Sequence, residues 1–262
     1  MKNKYFSVFR AMVARDLIAQ WRDKWEFVFR VVMLPTILII TYGYVLPHIG
    51  MLPESFPTQM FAGMIGMSII VTGIHGTAIP FTMDFNNMHE IEDRLQAPVS
   101  SNFIAVAKMV VGIIEAFIGA LLVLPVSAIF MGADVHFTLT PQGVLILIPL
   151  LLLIALASAT MGLLVGTIIK PMQIAAMFPG FLMPMIFSGA IFFSWKSLDS
   201  LPVFQWLTAL NPLMYANEAL RYVLTPQIES MNIGWSVLGL TVSIVLMGYY
   251  GFKRFHHMAT GK

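Results

Sequence analysis

Six long apolar stretches separated by short polar intervals set the plan of this chain. They fall at 27–46, 58–85, 103–131, 143–169, 172–193 and 233–252. A bilayer core about 30 Å thick is crossed by roughly 20 apolar residues in a helix, so each stretch is long enough to span it. In lipid the backbone must bond within its own segment, which leaves helices as the reading for such runs. The fourth and fifth stretches are separated only by Lys170 and Pro171, which predicts a tight helical hairpin. The expected fold is an all-α integral membrane protein with six transmembrane helices, one transmembrane domain covering residues 1–262.

The polar intervals are as informative as the spans. Over residues 1–25, Tyr5, Val8, Phe9, Met12 and Val13 recur at the i, i+3, i+4 spacing of one apolar helix face. Lys4, Arg10 and Arg15 lie off that face, where they can meet anionic headgroups. An amphipathic helix lying on the membrane is expected, ending or turning at Asp16, which breaks the stripe. A merely solvated basic leader is the plainer alternative.

Between the second and third spans lies NNMHEIEDRLQAPVSS, residues 86–101. Pro80 is expected to kink the second span just before it. Asp84, Glu90, Glu92, Asp93 and Arg94 make the region polar. Ile91 and Leu95, four apart, give a short helix one apolar ridge, and Pro98 ends it. Such a helix suits docking into a soluble partner. From the residues alone an ordinary solvated loop is the plainer alternative.

Residues 194–230 fit neither a span nor an exposed loop. Leu201, Val203, Phe204, Trp206, Leu207, Leu210, Leu213 and Met214 are too apolar for water, and Pro202, Asn211 and Pro212 interrupt them too often for a span. Short helices that dip part-way back into the bilayer are expected there, and backbone at that depth needs cover by protein or water.

Composition agrees with a membrane protein. Of 262 residues, 58% are hydrophobic and 11% charged, against about 25% charged in soluble domains. The net charge of +2 suggests no nucleic-acid partner. The absence of cysteine excludes disulfides, thiolate metal sites and cysteine nucleophiles. The charged N-terminal segment does not read as a signal peptide. Twelve of the fifteen Lys and Arg residues fall on one side of a six-span topology, which predicts both termini in the cytoplasm.

Ionisable groups inside spans are functional candidates because burying them is costly. Arg30, His75 and Glu115 are the three here. Glu115 can pair with Arg30, line a polar conduit or meet substrate; for His75 a hydrogen-bonded helix contact is the plainer reading. Glu218 and Arg221 are i, i+3 neighbours, read as a structural pair ahead of an exit gate. His256 and His257 lack a nearby third metal ligand. Met60, Met64 and Met67 of the second span, with Phe181, Met185 and Phe187 of the fifth, offer an apolar, adaptable lining for a lipid-like substrate. For each of them, helix packing and lipid contact are the plainer alternative. Gly63, Gly66, Gly162 and Gly166 permit close helix contact.

The segment IEDRLQAPVSS at 91–101, followed by FIAVAKM, resembles the first cytoplasmic loop of permeases of the ABC type-2 exporter family. SGAIFFSWKSLDSLPVFQWLTALNPLMYANEALRYVL at 188–224 resembles that family's later stretch of small residues, a Leu-Pro step and Asn-Pro-Leu before a terminal Glu-Ala-Leu-Arg. The resemblance implies a permease without its own engine. Asn86, His89, Glu90, Ile91, Glu92, Asp93, Arg94 and Leu95 would belong to a coupling helix (86–98) that docks an ATPase. The N-terminal segment, with Phe9, Arg10, Val13 and Arg15, would be an interface helix bracing the same subunit. Asn211, Pro212, Tyr215, Glu218 and Arg221 would form an outer gate.

No GxxxxGK[ST] phosphate loop occurs, and ATGK at 259–262 matches only its end. No cofactor is therefore expected on this chain; ATP and magnesium would bind two copies of a separate ATPase subunit. A second copy of the chain and membrane lipid complete the expected partners. The first, second and fifth spans would form the dimer interface in a bacterial inner membrane. The substrate would be a drug, lipid or lipid-linked glycan. A gradient-driven transporter or channel is the rival reading, though it would want more intramembrane charge. An intramembrane enzyme ranks last.

Overall fold

The computed structural model describes residues 2–86, 101–132, 135–137 and 140–260, and among these every regular element is a helix. The six apolar stretches are six helices long and apolar enough to cross a membrane: Lys24–His48, Phe56–Asp84, Asn102–Met131, Pro141–Gly166, Pro171–Ser188 and Ile233–Ala259. The fourth begins on a local signal legible in the sequence. Pro141 occupies the first turn, where its missing N–H costs nothing, and the Thr140 hydroxyl accepts the Gly143 N–H at 3.0 Å.

The second span is the axis of the fold. Of its central window 89% is buried, against 28% for the first span, 22% for the fifth and 17% for the sixth. Lipid tails are as apolar as leucine, so exposed apolar faces on the outer spans carry no penalty in the bilayer. What holds the centre is close approach. Gly162 and Gly166 of the fourth span lie against the second. A Cβ added at Gly162 would come within 3.0 Å of the Ile74 carbonyl oxygen, and one at Gly166 within 3.1 Å of Ala78 Cα. The second helix runs on through Pro80 to Asn86.

The fifth span is irregular because of its prolines. A 3-10 turn at Pro171–Gln173 leads into Ile174–Met177, then a π-helical turn at Phe178–Leu182, then Met183–Ser188. Pro179 and Pro184 each remove a backbone donor, and local changes of helical pitch accommodate the loss. The span ends at Ser188, five residues short of the apolar run's end at 193. Gly189 and Ala190 break it, with Ala190 in the left-handed region at φ +54°. That conformation costs roughly 1–2 kcal/mol. It is held from outside: Asn217 Nδ2 donates to the Gly189 carbonyl at 2.6 Å and Arg221 Nη2 to the Ala190 carbonyl at 2.8 Å.

The N-terminal helix, Lys2–Arg22, does not end at Asp16. Asp16 is buried and faces a lysine of the third span, so what breaks the apolar stripe is an internal contact rather than a helix stop. Part of the stripe meets protein as well: the Phe9 ring packs edge-on against Phe103, centroids 5.1 Å apart.

Between the fifth and sixth spans lie two short helices, Pro202–Thr208 and Pro212–Leu224. The second is buried almost throughout, capped by Asn211, whose side-chain oxygen accepts the Leu213 N–H at 3.0 Å. The first is inverted relative to a soluble helix. Its polar Gln205 and Thr208 are buried, while Val203, Trp206 and Leu207 are exposed.

Candidate functional site

Three charged side chains converge at the end of the bundle where the second span closes. Asp84 stands in the last turn of the second span, Lys108 in the second turn of the third, and Asp16 on the N-terminal helix. Lys108 Nζ lies 2.8 Å from Asp84 Oδ2 and 3.0 Å from Asp16 Oδ2, with all three side chains at least nine-tenths buried. An ammonium excluded from water is stable only if paired and hydrogen-bonded. Two carboxylates on separate elements provide that pairing, so the cluster locks the N-terminal helix to the paired ends of spans two and three. These ends bracket residues 87–100.

Of the candidate docking residues, Asn86 closes the second-span helix, while His89, Glu90, Ile91, Glu92, Asp93, Arg94 and Leu95 lie outside the described residues. Arg10 and Arg15 are exposed and Val13 is half-buried. Sequence reasoning used Asp84 as loop polarity, Lys108 as a topology marker and Asp16 as a helix stop. The overlooked signal was a lysine just inside an apolar run, which demands a partner.

The intramembrane candidates meet differently than expected. Arg30 does not close an ion pair with Glu115. Both carboxylate oxygens of Glu115 are buried, with Gln20 of the N-terminal helix the polar side chain nearest to pairing with them, and Arg30 Nε is buried with no hydrogen-bond partner. The Glu115 carboxylate presses instead on the second span at Gly76, where an added Cβ would collide with it.

Arg30 stands between two hollows. One, of about 280 Å³, is a polar cleft bordered by Arg15, Asp16, Asp84 and Lys108. The other, of about 310 Å³, lies between the first and second spans and Phe178, with His75, Thr72 and Ser68 on its wall. Of the six apolar candidates, Met67 borders this second hollow. Met60, Met64 and Met185 are packed in the core. Phe181 borders a separate apolar recess with Met161 and Met247, and Phe187 stacks on Phe192 at 5.9 Å.

At the opposite end of the bundle, Glu218 and Arg221 form a fully buried pair on Pro212–Leu224. Glu218 Oε1 also accepts the Trp195 N–H at 2.9 Å and Oε2 the Met231 N–H at 2.6 Å. Burial lowers the Arg221 guanidinium from its ordinary value, and the adjoining Glu218 carboxylate opposes that loss. Asn211 Nδ2 donates to the Met185 carbonyl at 2.7 Å and the Ser188 hydroxyl at 3.0 Å. Pro212 opens the helix, and the Tyr215 ring is where a Cβ on Gly239 of the sixth span would land, 2.5 Å away. The five candidate gate residues thus share one helix and its cap, and backbone at 59, 185–190, 195, 213 and 231 is tied to them.

Both clusters tie separate segments of the chain together through buried charge. Two comparisons place the chain. A family model described as ABC-2 type transporter matches residues 7–225. The inner membrane transport permease YadH of Escherichia coli (strain K12) is 26% identical over 225 residues, covering 85% of this chain and 84% of that protein. The same-named proteins of Escherichia coli O157:H7 and Shigella flexneri match to the same extent. The matched region takes in the N-terminal helix, five spans and the buried Glu218–Arg221 helix. The chain belongs to the ABC-2 type transporter family, as a transmembrane component of an ATP-binding cassette transporter.

Proposed function

We propose that this chain is the permease subunit of an ATP-driven exporter, working as a homodimer with two copies of a separate ATPase subunit in a bacterial inner membrane. The observation that carries this reading is the buried Asp16–Lys108–Asp84 cluster. It joins the N-terminal helix to the ends of the second and third spans, the two spans that the 86–98 segment connects in sequence. When ATP draws the ATPase subunits together, a push on 86–98 passes through spans two and three and, by way of Asp16, moves the N-terminal helix with them. Both termini then lie in the cytoplasm, in keeping with the Lys and Arg distribution.

The dimer reading is supported by the exposed apolar line Trp25, Phe29, Met33 and Ile37 on the first span, beside the sparsely buried fifth. Two copies related by a two-fold axis would bring these faces together and present two docking segments. The inverted short helix Pro202–Thr208 supports re-entry into the outer half of the bilayer, because its apolar side faces away from the protein. The substrate is hydrophobic or amphiphilic, drawn from the inner leaflet or cytoplasm.

The test is co-expression and co-purification with a candidate ABC ATPase subunit from the same organism, followed by hydrolysis assays on wild type and Glu92→Ala/Arg94→Ala. A stable complex whose assembly or hydrolysis fails in the variant supports the reading. A chain that purifies alone and is indifferent to the loop change points to a gradient-driven transporter instead.

A further inference from the structure

The fourth and sixth spans run parallel, and their contacts keep one register. A Cβ at Gly248 would meet Thr160 Cγ2 at 3.7 Å, one at Gly251 would meet Leu163 Cγ at 3.1 Å, and Arg254 Nη2 donates to the Thr167 carbonyl at 3.5 Å. The fifth span turns back beside them at Lys170 and Pro171. Between the three lies a recess of about 320 Å³ with a wholly apolar wall that includes Met161, Leu164, Ile168, Phe181 and Met247. Ile168 and Phe181 leave it open to the outside of the bundle. Its place is the flank of the fifth span that meets the sixth; the other flank, at Phe178, borders the first span, whose exposed face is the one offered for pairing.

One end of the recess is basic. Met247 to Arg254 is seven residues of helix, about 10 Å, and Lys170 directly follows the lining residue Ile169. Arg254 and Lys170 are both exposed. Residues 135–198 and 230–262, which contain all three spans, hold no Asp or Glu. Among the described residues no carboxylate pairs with either cation. Tyr249 and Tyr250, both more than half exposed, stand just over one turn before Arg254, the aromatic level of a membrane–water interface. An apolar slot at acyl-chain depth therefore ends in two uncompensated cations at headgroup depth.

We propose that this recess is a binding site for an anionic phospholipid, one acyl chain lying between spans four, five and six and the phosphate against Arg254 and Lys170. Arg254 gives Thr167 one donor at the long limit of a hydrogen bond, and the rest of its planar fork suits a phosphate. Lys170 adds a point charge. Basic pockets between transmembrane helices are the usual seat of acidic headgroups. A neutral lipid would fill the apolar slot equally well and leave both cations without a counter-charge, which is why the occupant is anionic. The volume is at the small end of ligand sites, so it seats part of one chain and leaves the other in the bilayer. The fifth span is only 22% buried in its central window, and the lipid supplies packing against spans four and six that its side chains do not.

The experiment uses the purified full chain in detergent, with phosphatidylglycerol and phosphatidylcholine of matched chains as competing probes and retained lipid counted by native mass spectrometry. Wild type is expected to retain phosphatidylglycerol over phosphatidylcholine by about tenfold, the ratio that ~1.4 kcal/mol gives. Lys170→Gln/Arg254→Gln abolishes the preference; both positions are exposed, so folding is not at stake. Ile168→Trp, which closes the mouth of the recess, loses the retained phosphatidylglycerol. Lys196→Gln, an exposed cation beyond the other end of the fifth span, leaves the preference unchanged. Equal retention of the two lipids by wild type overturns the proposal. So does a preference that survives the double variant or Ile168→Trp, or one that Lys196→Gln removes. None of these readouts involves the ATPase or the dimer face, so their failure leaves the exporter reading to its own test.

Discussion

Lys108 of the third span and Asp84 of the second stand 2.8 Å apart at the two ends of a segment 23 residues long, and Asp16 of the N-terminal helix completes their contact from a third side. Removing the central cation takes the shared ammonium from two buried carboxylates. Breaking a buried pair by removing one partner costs roughly 3–5 kcal/mol. Lys108→Met is therefore expected to lower the melting temperature in detergent sharply, and Asp16→Asn to do so mildly, since Asp84 remains. A Lys108→Met protein as stable as wild type would show that the cluster is incidental.

The Glu218–Arg221 pair gives a second stability test. Glu218→Ala strands Arg221 and frees the Trp195 and Met231 amides, so a loss of roughly 3–5 kcal/mol is expected. Arg221→Met alone strands Glu218 at a similar cost. The double variant should cost less than the two single losses added together, because neither charge is left alone. Denaturation midpoints for the four proteins measure the coupling; simple additivity would mean the two residues act independently.

Glycine at Gly63 serves contact rather than freedom of backbone. A Cβ there would sit 2.7 Å from Ile191 Cα, a backbone atom that cannot swing aside, whereas one at Gly180 meets nothing within 4 Å. Gly63→Ala is expected to lower the melting temperature by several degrees, while Gly180→Ala holds or raises it. Equal effects would place the cost in helix propensity instead.

The inverted short helix predicts where Trp206 lies. In a variant keeping Trp206 as its one tryptophan, brominated acyl chains are expected to quench the fluorescence and aqueous iodide to leave it largely unchanged. Quenching by iodide alone would put this helix in water and remove the re-entrant reading.

Orientation is open to direct labelling, because the chain has no cysteine of its own. Single cysteines at Lys170 and His257 should resist an impermeant maleimide in intact cells and react after lysis. One at Ser200 should react in intact cells. The reverse pattern would invert the topology.

The spans were legible because hydrophobic length is a local property: each window alone is long enough for a bilayer. The fifth span shows the limit of that signal. Its apolar run continues to 193, but Gly189 and Ala190 are bent by Asn217 and Arg221, donors 28 and 31 residues away. Nothing within the run announces them. The same holds for the charge cluster, whose three members belong to different helices and carry no shared periodicity. Arg30 and Glu115 show the converse, a pairing that was one of three readings for Glu115. Each was conspicuous, and opposite sign suggested a pair that packing does not close. The segment at 188–224 was recognisable as neither span nor loop, because its prolines and asparagines interrupt an apolar composition; that the polar side of Pro202–Thr208 turns inward required the structure.

The Asp16–Lys108–Asp84 cluster holds two acids to one base. Lys108 Nζ touches carboxylates on two other helices, so the N-terminal helix cannot shift against the second span without taking a carboxylate from a buried ammonium. Three helices are thereby pinned at one point, like the corner of a frame.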